Sequence, residues 1–94
     1  MKFTDMGQQA APEIRFPCEY PVKVMGVASS VFRDEVVTVF QRHAPEVNNE
    51  QITVRESRQG TYLSVTVVIQ ATGKQQLEQL FQDLKTVAGV KLVL

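Results

Sequence analysis

One cysteine, one histidine and no tryptophan occur in these 94 residues, and each scarcity removes a class of chemistry. A lone thiol, Cys18, cannot close an internal disulfide and rules out a cysteine-based zinc site. A lone imidazole, His43, leaves no paired-histidine metal motif, and neither a Walker sequence nor a dinucleotide fingerprint follows any strand. Charge of neither sign is in excess: ten basic residues balance ten acidic ones, which gives no electrostatic case for bulk binding to nucleic acid or an anionic membrane. Long apolar runs are missing too. The opening MKFTDMGQQAAPEIRF has no continuous hydrophobic stretch, and no later run approaches a membrane span. These absences predict a cytoplasmic, non-enzymatic protein without cofactor or metal and with no membrane partner.

What is present is enough for one core. The hydrophobic share is 44% with five phenylalanines, ordinary for a globular domain that needs no staples. Residues 1–15 mix Gly7, Gln8, Gln9 and Pro12 with few apolar positions and predict a flexible arm; residues 16–94 carry the periodic segments of a single domain.

From residue 20 the chain alternates, with Tyr20, Val22, Val24 and Gly26 on one side and Lys23, Met25 and Val27 on the other, a strand over 20–27. Ser29 or Ser30 then offers an N-cap hydroxyl. Phe32, Val36, Val39, Phe40 and His43 recur at helical spacing, with Asp34 and Glu35 near the positive end and Arg42 and His43 near the negative one. Pro45 stops this helix by disfavouring the α conformation at Ala44, and residues 45–50 read as a polar loop. Ile52, Val54 and Glu56 alternate with Thr53, Arg55 and Ser57 in a second strand, and Arg58, Gln59 and Gly60 supply a turn. A third strand has Leu63, Val65, Val67, Ile69 and Ala71 on one side and Tyr62, Ser64, Thr66, Val68 and Gln70 on the other. Thr72 with Gln75 resembles a capping box. Leu77, Leu80, Phe81, Leu84 and Ala88 form a second helical stripe, ended by Gly89 in the left-handed conformation. Residues 90–94 make a last short strand.

Both helices are apolar on one side only and the strands alternate cleanly. The predicted fold class is therefore α+β: a ferredoxin-like βαββαβ plait with two helices on one face of a four-stranded antiparallel sheet, and the first and third strands central.

On this pattern sit FPCEYPVKVMG at 16–26, a His-Ala-Pro stop at 43–45, SRQGTYLSVTV at 57–67 and VKLVL at 90–94. Together they resemble the YbeD-like family of small bacterial proteins of unknown function, also labelled lipoate regulatory proteins. The resemblance spans residues 16–94. It implies a plait similar to ACT ligand-binding regulatory domains, with no established activity and no agreed catalytic residues, and the lipoate label is an association only. The reading adopted on this basis is a regulatory or adaptor domain that binds a small effector or a protein partner.

Three surfaces are candidates. The plait sets residues 26–30, the 57–61 hairpin and Gly89 at one end, where Gly26, Ser29 and Ser30 frame a helix N-terminus open to a small anionic effector; the simpler reading is capping and close packing. Cys18, residues 43–45, Thr72 and Leu94 fall at the other end, where Cys18 and His43 raise the idea of a thiolate–imidazole dyad, although no third group is indicated to orient them. The uncovered sheet face would carry Lys23, Met25, Val27, Thr53, Arg55, Tyr62, Ser64, Thr66, Val68, Lys91 and Val93. Of these, Lys23, Met25, Arg55, Tyr62, Val68 and Lys91 are the expected partner surface, for a protein, for a second copy in a homodimer, or for the arm. The alternative use of such a face is nucleic-acid binding. It is disfavoured, because bases stack on aromatics of the central strands and only Tyr62 is offered.

Overall fold

The computed structural model describes residues 15–94, so the arm expected over 1–15 lies outside the described residues except for its last one. The elements follow the predicted order: β1 (Cys18–Val27), α1 (Phe32–His43), a 3-10 turn (Asn49–Gln51), β2 (Ile52–Glu56), β3 (Tyr62–Ala71), α2 (Lys74–Leu84) and β4 (Val90–Val93). The sheet order is β2-β3-β1-β4, antiparallel throughout. The longest ladder joins the two central strands, from Cys18 opposite Ala71 to Val27 opposite Tyr62.

Alternation sorts the side chains as period two requires. Val22 and Val24 of β1 meet Val65, Val67 and Ile69 of β3 on the helix side, where Phe32, Val36 and Phe40 of α1 and Leu80 and Leu84 of α2 close over them, all essentially without solvent exposure. Each such side chain contributes about 1.5–3 kcal/mol on burial. Among the described residues no polar or charged side chain is buried in this core.

Local chemistry fixes the element ends. Val31 directly before α1 makes no side-chain cap, but from the turn that leads into the helix Ser29 Oγ accepts the Phe32 N–H at 3.1 Å and so supplies the capping bond expected of Ser29 or Ser30. Ala44 N–H donates to the Phe40 carbonyl at 2.7 Å before Pro45 forbids a further turn. Gly60, at φ +73°, closes the β2–β3 hairpin, its N–H donating to the Ser57 carbonyl.

Several expectations are corrected. The capping box expected at Thr72 and Gln75 does not form; Gly73 precedes α2 with no side-chain cap, and Gln76 reaches back instead, accepting the Thr72 N–H at 2.8 Å and donating to the His43 carbonyl at 2.9 Å. A capping box does occur at Asn48 and Gln51, inside the segment expected to be a polar loop, and it seats Val47 in the core. α2 stops at Leu84, a turn short of Ala88: the Thr86 hydroxyl donates to the Asp83 carbonyl at 2.6 Å and tighter turns carry the chain onward. Gly89 is at φ +88°, but it bends the chain into β4 rather than ending the helix. Finally, β4 has a bulge: Leu92 lies opposite Met25 but Val90 opposite Gly26, leaving Lys91 without a cross-strand partner. The extra residue reverses the expected sidedness. Val93 packs against the core, Lys91 leaves the open rows, and Leu92 takes the outward place. The same register sets Leu94 beside Lys23, their backbones exchanging hydrogen bonds of 2.8 and 3.2 Å, and not at the Cys18 end of the sheet.

Candidate functional site

Cross-strand register resolves the uncovered sheet face into rows. One runs Leu92, Met25, Ser64, Arg55; the next runs Leu94, Lys23, Thr66, Thr53; Val27 with Tyr62 lies above them and Pro21 with Val68 below. Val27 is 40% exposed, Tyr62 43%, Leu92 45% and Leu94 62%, whereas Met25 and Val68 are half-buried. The result is an aliphatic area over β1 and β4, with Lys23 inside its border and Arg55 on the far edge strand. Between them a shallow depression of about 160 Å³ is lined by Met25, Arg55, Glu56, Ser57, Tyr62, Leu63 and Ser64.

The strand-to-helix end is more tightly engaged. A methyl group built on Gly26 would come within 2.5 Å of both the Gly89 carbonyl oxygen and the Phe32 ring, so this glycine lets two segments approach across β1. Val27 N–H donates to that same Gly89 oxygen at 3.0 Å, and Ala28 N–H to the Thr61 carbonyl at 2.9 Å. Gly26 thus serves packing, Ser29 serves the helix cap, and Ser30 is exposed. Alongside, α1 and the turn after α2 bound an open groove of about 650 Å³ containing Val31, Asp34, Glu35, Thr38, Arg42 and Thr86.

At the opposite end the structure does not pair Cys18 with His43. Cys18 is partly buried against the core, while His43 Nε2 lies 2.9 Å from Asp83 Oδ2, which also accepts from Arg42 Nη1 at 2.8 Å. The hydrogen bond from His43, followed by that from Arg42, holds the Asp83 carboxyl below the usual carboxylate range. This clasp ties the C-terminal turns of α1 and α2, and sequence reasoning missed its acidic partner. Among the described residues no three histidine, cysteine or carboxylate side chains gather closely enough to hold a metal ion, and no helix is long and apolar enough to cross a membrane.

Four antiparallel strands in this order, with both helices on one side, define a ferredoxin-like plait. The ACT domain of a GTP pyrophosphokinase from Chlorobium tepidum superposes with a TM-score of 0.64 at 15% identity, covering 82% of this chain and 97% of that one. Protein HP0495 of H. pylori gives 0.67 at 16% identity, covering 99% and 98%. At such identities the likeness is one of fold. The chain belongs to the family described as "Protein of unknown function (DUF493)", which matches residues 11–94. It is similar to UPF0250 proteins of Azotobacter vinelandii, 49% identical and covering 97% of this chain and 99% of that one, and of Hahella chejuensis, 45% identical and covering 93% and 96%.

Proposed function

We propose that this chain is a non-enzymatic regulatory or adaptor module that acts by binding, with the uncovered sheet face as its docking surface for a protein partner. One observation carries the reading: Val27, Tyr62, Leu92 and Leu94 are exposed together on the side of the sheet opposite the helices. Scattered apolar side chains are common on surfaces, but a contiguous group bordered by polar residues is the usual mark of an interaction site. Binding at that face works through shape and burial and requires no reacting group. A photo-crosslinker placed at Met25 or Leu92 in cells of the native host should capture a defined partner, and one placed at Glu78 on α2 should not. Capture from Glu78 alone, or from none of the three, would overturn the reading. Light scattering of the purified chain separates a second copy from a different partner.

A small effector is the second reading, favoured by the groove beside α1. Its volume of about 650 Å³ lies in the range of metabolite pockets, and it adjoins the loop that holds Gly26, Ser29 and Ser30. Titration with lipoate tests both this reading and the association with lipoate metabolism. Binding there moves the amides of residues 26–31, Thr38 and Ala88, and an unchanged spectrum removes lipoate as the effector.

A further inference from the structure

The chemistry of the open face narrows what can dock there. Its strand residues carry three charges: Lys23 and Arg55 toward the aliphatic end, and Glu19 at the opposite end of β1, opposite Gln70. With strands spaced about 4.8 Å apart, Arg55 stands about 10 Å from Met25, across Ser64. Among the described residues these two cations thus lie in the aliphatic rows with no carboxylate side chain in the same rows, although Glu56, next along β2, lines the depression beside Arg55. A second copy of the chain centred on these rows would offer the two cations no carboxylate within the rows, whereas an acidic partner supplies one. The helix side is different, with Asp34, Glu35, Glu78 and Asp83 among its exposed or part-exposed groups.

The depression between Met25, Arg55, Tyr62 and Ser64 adds a size limit. At about 160 Å³ it is smaller than the 300–1,000 Å³ or so typical of metabolite pockets and suits a single side chain. A guanidinium accepts a carboxylate in two parallel hydrogen bonds, and the Ser64 hydroxyl is a further donor on the same wall. Tyr62 supplies an amphipathic anchor of the kind enriched at the centres of protein interfaces.

We propose that the open sheet face recognises an acidic amphipathic protein segment, whose aliphatic side chains lie over Met25, Val27, Leu92 and Leu94 and one of whose carboxylates enters the depression at Arg55. This rests on the reading of the sheet face as the docking surface and specifies its partner. A nucleic acid would satisfy the cations, but its bases would meet aliphatic side chains with Tyr62 as the one aromatic in these rows.

The test is a titration of the isotope-labelled full chain with three probes: a short helical peptide with leucine along one face flanked by glutamate, the same peptide with lysine in place of glutamate, and oligouridylate. The acidic peptide should move the amides of Met25, Ser64, Arg55 and Leu92. Arg55→Glu should weaken it by about tenfold, the effect of losing one well-placed charge contact, and should improve the lysine peptide, a gain that a misfolded variant would not show. Lys23→Glu should act in the same direction. Movement of the sheet face by the lysine peptide or by oligouridylate in preference overturns the acidic chemistry and leaves the docking surface standing. No movement of the sheet face with any probe overturns both.

Discussion

The Gly89 carbonyl oxygen lies where a side chain on Gly26 would have to go, 2.5 Å from the position of a β-carbon there. The same oxygen accepts the Val27 N–H, so it cannot retreat without breaking the contact between the turn after α2 and the end of β1. Gly26→Ala is expected to cost about 2–3 kcal/mol by overpacking, seen as a lower denaturant midpoint with little change in slope. A midpoint equal to that of the parent would mean that the Gly89 turn moves freely.

Phe40, on the inward face of α1, is wholly buried in the core. Truncation to alanine removes its transfer energy and leaves a cavity, an expected loss of about 3–5 kcal/mol. Against a total of about 5–15 kcal/mol for a domain, that is enough for calorimetry to find much of the variant unfolded at moderate temperature.

Ser29 makes a single local bond, to the Phe32 N–H. Ser29→Ala should lose about 1 kcal/mol, whereas Ser29→Asp should retain most of it, because a carboxylate also accepts that bond and favours the positive helix end. Equal losses in the two variants would show that the cap contributes little.

The clasp of His43, Arg42 and Asp83 makes stability depend on acid. Asp83 has its pKa lowered in the folded chain relative to its ordinary value of 3.8, so its contribution is fully present above that value. It disappears as pH falls through the lower folded value, where protonation takes place in both states. Asp83→Asn should therefore lower the melting temperature at neutral pH and bring the two proteins together in strong acid. A constant difference between the two melting curves at every pH would assign the loss to packing instead of charge.

Much of the architecture was legible in the sequence, because alternation and helical stripes report burial directly. The row of Leu63, Val65, Val67, Ile69 and Ala71 and its partner Val22 and Val24 suffice to make their strands neighbours at the centre of the sheet. What stayed hidden depends on distance rather than period. Asp83 becomes the partner of His43 only when two helix ends meet, and no local pattern announces it. Val47 is one valine in a polar loop, yet the Asn48 and Gln51 cap turns it inward. Gln76 and not Gln75 reaches the amide of Thr72 because the cap position falls on Gly73, one residue later than expected, which makes Gln76 the third helical residue. The exposed face was legible in outline, from Met25, Arg55 and Tyr62, but its β4 border was not, since an inserted residue leaves no trace in hydrophobicity.

That border has a consequence for engineering. In β4 the unpaired Lys91 lets both Val90 and Val93 face the core while Leu92 between them stays outward. Deleting Lys91 would remove the bulge and leave Val90, Leu92 and Val93 opposite Gly26, Met25 and Val24 in plain alternation, with Val93 still inward and Leu92 still outward. Shortening the chain by this lysine should thus keep both the inward Val93 and the outward Leu92, as should Lys91→Ala, whereas deleting Leu92 would remove the outward aliphatic residue itself.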